Sequence, residues 1–152
     1  MPSVILDEPR LRSQIDKYNR GFSEGAIDAY LAELEPEVDF GTVTLTAEGR
    51  SLHGRGEVRG YLEGLHEAFA EMSVEAESFE AIAEGLVLTL GRWRALGRTS
   101  GVSIDSAWAV TTQFAPDYRV VWVRAFTDEI AARAALRERA ADLGLELTVS
   151  DE

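Results

Sequence analysis

Apolar residues recur at helical spacing through the first half of the chain and at every second position through most of the second half. Leu11, Ile15, Tyr18 and Phe22 fall four, three and four residues apart, one face of a helix that runs to about Gly21. Asp7 stands where a capping carboxylate would, and Pro9 lies in the first turn, where its missing N–H costs nothing. "SEGAIDAYLAEL" predicts a shorter helix with Ile27, Tyr30, Leu31 and Leu34 inward, stopped by Pro36. In "EVDFGTVTL", Val38 and Phe40 share one side of a strand, and Asp39 and Gly41 share the other. Residues 46–54 read as a loop. A third helix is expected from about Gly56 to Met72, with Val58, Tyr61, Leu62, Leu65, Phe69 and Met72 on its apolar face.

Beyond Met72 the period changes to two. "SVEAESFEAI", "LVLTLGRWRAL", "VSIDSAWAVTTQF" and "YRVVWVRAF" read as four strands, joined by "AEG", "GRTSG" and "APD", each short enough for a hairpin. "DEIAARAALRERAADLGL" predicts a closing helix capped by Asp128 and ended near Gly144. "ELTVSDE" is a tail or a short edge element. Helices first and a long meander afterwards imply an α+β fold, a curved antiparallel or mixed sheet packed against N-terminal helices, with a C-terminal helix. One domain spans 1–152, with its core at about 7–143 and a tail at 144–152.

Composition narrows the function. A chain of 152 residues with 45% apolar content builds one core. Asp and Glu number 27 against 15 Lys and Arg, a net charge of −12. Such a surface repels phosphate, so neither nucleic acid nor a membrane surface is an expected partner. There is no cysteine, and two histidines without a carboxylate cluster make no metal site. "MPSVILDEPR" lacks a signal-peptide core, and no window approaches the roughly 20 apolar residues of a membrane span, so a cytoplasmic protein is expected. "HGRGEV" follows a loop, not a strand, so no dinucleotide fingerprint is read there and no cofactor is expected.

Five phrases in order, "YNRGFSEGAIDAYLAEL", "EPEVDFGTV", "LHGRGEVRGYLEGLHEAF", "GRWRALGRTSGV" and "VVWVRAFTDEIAARAAL", span about residues 11–136. Together they resemble the SnoaL-like branch of the nuclear transport factor 2 superfamily. The resemblance implies a cone, with a curved sheet wrapped around a pocket that helices close. It fixes a scaffold used by polyketide cyclases, isomerases, dehydratases, epoxide hydrolases and pockets of unknown use, and leaves the chemistry open.

Set beside the ketosteroid isomerase pattern, Tyr18 falls on the isomerase tyrosine, but the general base falls on Gly41 and the protonated aspartate on Val110. Steroid isomerisation is therefore rejected. Asp39, one pleat before Gly41, becomes the candidate base with Tyr18 as donor; a solvent-facing strand residue is the alternative. By parity Trp93 and Trp108 point into the cone, and with Val110 and Val123 they suit a small apolar or aromatic ligand. His53 opens "LHGR" as either a turn residue or a pocket residue. Leu88, Leu90, Trp122 and Phe126 would make an apolar outer face, which implies a homodimer. Gly56, Gly60, Gly64 and Ala68 form a smooth stripe expected to pack on another element, with a ligand lying on the stripe as the alternative. Three readings follow: a cofactor-free acid/base enzyme, a ligand carrier or sensor, and a structural dimerisation domain.

Overall fold

Residues 8–147 are described by a computed structural model; the Asp7 cap and the tail from 148 onward lie outside the described residues. The helices are α1 (Glu8–Glu24), α2 (Ile27–Ala32), α3 (Val43–Ala47), α4 (Gly54–Ala68) and α5 (Glu129–Leu143), of which α3 replaces the end of the strand expected over "EVDFGTVTL". The strands are β1 (Leu34–Gly41), β2 (Leu52–His53), β3 (Phe69–Ala83), β4 (Leu86–Gly97), β5 (Ser103–Phe114) and β6 (Val120–Phe126). They form one open mixed sheet in the order β2-β1-β6-β5-β4-β3. The meander is antiparallel throughout, while β1 joins β6 in parallel. This is the α+β arrangement read from the sequence.

Both faces of the sheet are buried, by different helices. On the inner face, Leu11 and Ile15 of α1 and Val58 and Leu62 of α4 pack with Val38, Phe40, Val87, Val110 and Val123. On the outer face, Ala132, Leu136 and Ala140 of α5 pack on Leu86, Leu88, Ala109 and Trp122. The alanines let the helix axis come close to the strands, and Asp128 caps its start by accepting from the Ile130 N–H at 2.9 Å. Gly144 (φ 70°) ends it in the left-handed conformation. Beyond it, Leu147 bridges to Ala83, a short edge contact.

Several boundaries moved for physical reasons. Pro36 lies inside β1, not before it, because the β1–β6 register is interrupted between Leu34 and Asp39 and no ladder N–H is required there. The expected loop at 46–54 holds the end of α3 and all of β2. Helix α4 stops at Ala68, where Phe69 enters the ladder opposite Gly97. The Arg98 guanidinium closes that end, donating to the carbonyls of His66, Glu67 and Phe69.

Two expectations are corrected. The outer face proposed for a homodimer is covered by the chain's own α5, with Leu88 1% and Trp122 6% exposed. The apolar patch on which the dimer argument rested is therefore largely filled from within. The glycine stripe packs on nothing: a methyl group added at Gly56, Gly60 or Gly64 meets no atom within 4 Å. Val58, Leu62 and Leu65 supply the packing face of α4, and the glycines are on its solvent side.

The glycine most crowded by backbone is Gly91 in β4, where a β-carbon would stand 1.9 Å from the Glu75 carbonyl oxygen. It lies opposite the register shift between Ala76 and Ser78, where the long β3–β4 ribbon bends. Gly91→Ala is expected to cost about 1–3 kcal/mol through overpacking. Gly64→Ala, on the open side of α4, should instead gain up to about 1 kcal/mol. Urea melts of the two variants should move in opposite directions.

Candidate functional site

The inner face does not fill completely. Between α1, α2, α4 and the concave side of β1, β3, β4, β5 and β6 lies a cavity of about 200 Å³. Tyr18, Asn19 and Phe22 of α1 form one wall, and Trp93, Trp108, Val110 and Val123 form the wall opposite in sequence order, on the meander. Phe40 and Tyr61 close further sides, and Phe69 meets Trp93 edge-on at 6.0 Å between ring centres. No residue lining the cavity carries a formal charge.

Its polar groups are hydroxyls and one amide. The Tyr30 hydroxyl donates to the Tyr18 oxygen at 2.5 Å, with the two rings 4.5 Å apart. This leaves the proton of Tyr18 available to a further acceptor. Burial pushes the Tyr18 hydroxyl well above the usual phenol range, although the hydrogen bond from Tyr30 pulls the other way. Tyr30 is raised as well, by burial first and then by its neighbour. Both phenols stay protonated near neutral pH and act as neutral donors, not as bases. Thr42 and Tyr61 share a hydrogen bond of 2.8 Å. Asn19 is 6% exposed, and its side-chain nitrogen is buried without a hydrogen-bond partner.

Of the residues singled out from sequence, Tyr18, Trp93, Trp108, Val110 and Val123 meet at this cavity. Asp39 and His53 do not. Val38 and Phe40 take the inner side of β1, which turns Asp39 to the outer side. There its carboxylate receives the Arg124 guanidinium at 2.8 Å, with 41% of the aspartate side chain exposed. Arg124 also donates to the Asp39 carbonyl and lies over the Trp122 ring. Asp39 is thus a clasp across the parallel β1–β6 pair, and its assignment as a base within the pocket is corrected. The energetic reason is plain, because burying Val38 and Phe40 is favourable by about 1.5–3 kcal/mol each, while a desolvated carboxylate costs. His53 takes the N-cap position of α4, where its backbone N–H donates to Glu57 and its ring bonds Glu37 in the solvent. Its place among the pocket residues is likewise corrected.

Tyr30, Tyr61, Phe40 and Asn19 were not singled out as site residues. A signal for Asn19 was present: it stands four residues after Ile15 and three before Phe22, a polar residue in the middle of an apolar helix face. Among the described residues, no group of three His, Asp or Glu side chains gathers in a way that could hold a metal ion. No helix of the described residues is long and apolar enough to cross a membrane.

No protein-family model matches the chain, and no curated protein matches its sequence. Solved structures do match. A nuclear transport factor 2-like protein of unknown function from Burkholderia pseudomallei is 19% identical, with TM-score 0.66 over 83% of this chain and 96% of that one. A candidate polyketide cyclase from Xanthomonas campestris pv. campestris is 17% identical, with TM-score 0.67 over 84% and 97%. The protein TerC, co-crystallised with polyporic acid, is 14% identical, with TM-score 0.65 over 84% and 98%. The chain has the nuclear transport factor 2-like fold.

Two outcomes follow from the site's electrostatics. The native state holds the Tyr18 and Tyr30 protons more tightly than the unfolded chain does. Their contribution to stability is therefore complete below the unfolded phenol value of about 10 and is lost progressively as pH rises above it. Urea melts between pH 8 and pH 11 should show that loss, and the Tyr18→Phe, Tyr30→Phe double variant should show a shallower one. Asp39→Asn should lower stability by about 0.2–1 kcal/mol, as expected for a half-exposed ion pair, without changing ligand binding to the cavity. A stability gain in thermal melts, or weakened ligand binding in titrations, would return Asp39 to the site.

Proposed function

We propose that the chain is a small-molecule-binding protein whose ligand is flat, uncharged and largely apolar. The supporting observation is a cavity walled by Trp93, Trp108, Phe22, Phe40 and Tyr61 with no ionised side chain. A charged ligand entering it would shed its water and find no counter-ion, whereas aromatic surface loses only unfavourable hydration. Small-molecule binding also finds support in the structural neighbour TerC, which was co-crystallised with polyporic acid. With Asp39 outside, the carrier or sensor reading gains over an enzyme that needs a carboxylate base.

One observation supports a catalytic reading beside it. Tyr18 accepts from Tyr30 and keeps its own proton free at the cavity wall. Such a polarised neutral donor stabilises negative charge developing on a carbonyl oxygen, the kind of assistance that a cofactor-free cyclisation or enolisation uses. Any base for that reaction would have to come from the substrate or from water.

The test is a titration with 1-aminoanthracene, a neutral probe that brightens in apolar cavities. Saturable enhancement at one probe per chain is expected, and Ile104→Trp, which adds bulk at the cavity wall, should abolish it while the melting temperature stays within a few degrees. Absence of saturable binding by the wild-type protein would refute the reading.

A further inference from the structure

We infer that Asn19 is the ligand-reading group of the cavity and that the ligand carries a carbonyl-type oxygen which accepts from it at the α1 wall. The inference rests on the cavity binding a small molecule and adds the chemical class and the residue that recognises it. Asn19 is 6% exposed, lines the cavity, and holds its side-chain nitrogen buried with no hydrogen-bond partner in the protein. A buried amide nitrogen without an acceptor is unfavourable, and helices ordinarily place leucine or alanine at such a position. An apolar residue there would complete the face formed by Leu11, Ile15 and Phe22. The amide is retained against that tendency, which is the behaviour of a group whose partner arrives from outside.

The surrounding groups fix what that partner must be. Thr42 and Tyr61 share one hydrogen bond, which leaves one hydroxyl proton of that pair to spare, and Tyr30 gives its proton to Tyr18. At the α1 wall donors are in surplus on consecutive residues: the Tyr18 hydroxyl proton and the Asn19 amide protons. A ligand that supplies only donors, such as an ammonium ion, leaves them unsatisfied. A ligand carboxylate would accept from them but would be buried with no cation on the cavity wall. A neutral ketone, quinone or lactone oxygen answers both constraints. The last torsion of asparagine is broad and roughly two-fold, so a turn of the carboxamide carries its nitrogen from the sealed side to the cavity side without moving the helix. Aromatic walls on the opposite side then hold the hydrocarbon part of the same molecule.

The experiment compares 1-tetralone with tetralin, which share a bicyclic frame and differ in one carbonyl group. Wild-type protein should bind 1-tetralone about tenfold more tightly than tetralin, the size of one net hydrogen bond in a dry site. Asn19→Leu should bring that ratio close to one by weakening 1-tetralone and leaving tetralin equal or tighter. On the wild-type protein, the assigned Asn19 side-chain amide resonances should move with 1-tetralone and stay in place with tetralin; this measurement decides the matter even where the leucine variant does not fold. The inference is overturned if the wild type does not discriminate, if Asn19→Leu keeps the full ratio, or if Tyr18→Phe alone removes it. In those cases binding of both probes leaves the cavity's general role intact. If neither probe binds, the small-molecule reading fails and this inference fails with it.

Discussion

The orientation of β1 is the constraint on which the rest of the site depends. It is the one strand that joins the sheet in parallel, and its two sides are chemically opposite: Val38 and Phe40 against Asp39 and Gly41. Turning the apolar pair inward supplies the core with two fully desolvated side chains and sends the carboxylate outward. There Arg124 of the neighbouring strand binds both its side chain and its backbone carbonyl. The reverse orientation would bury a charge and expose a phenylalanine. A one-residue change of register flips every side chain of a strand, so no intermediate arrangement exists.

From that choice follows the neutrality of the cavity. With Asp39 and its arginine outside, the inner wall is left with rings, aliphatic groups, hydroxyls and one amide. In such surroundings phenols hold their protons, and every hydrogen bond is worth more because water does not compete. The cavity therefore discriminates by shape and by the count of donors and acceptors, not by charge. The chain's strong negative charge plays no part in it; that charge sits on outward positions such as Glu75 and Glu77 of the edge strand β3, where it discourages pairing with another sheet.

Helix α5 settles the other face. It lies across β4, β5 and β6 and takes the place that an apolar outer surface would otherwise offer to a second chain. Trp122, whose parity alone suggests an interface, is instead covered, with Arg124 and Arg139 against its ring and Arg139 also donating to Gln113. The helix is rich in alanine and arginine, a composition that lets it approach a sheet closely while its long side chains reach outward.

The sequence by itself determined the long elements and their order, because helical and twofold periodicity are local properties written in neighbouring residues, while the short α3 and β2 left no such period. The change of period near Met72, the Asp128 cap and the Gly144 stop could all be read directly, and the strand parity of Trp93, Trp108 and Val110 put them on one face. What only the tertiary structure decided was which face is inside and what covers the other. The side of β1 that Asp39 occupies, the paired tyrosines twelve residues apart, and the exposure of the α4 glycines depend on contacts between segments distant in the chain. So does the orphaned amide of Asn19, since a polar residue on an apolar helix face acquires meaning only once no neighbour is found to satisfy it. Periodicity states that a residue has a side; the competition of all segments for the interior assigns that side.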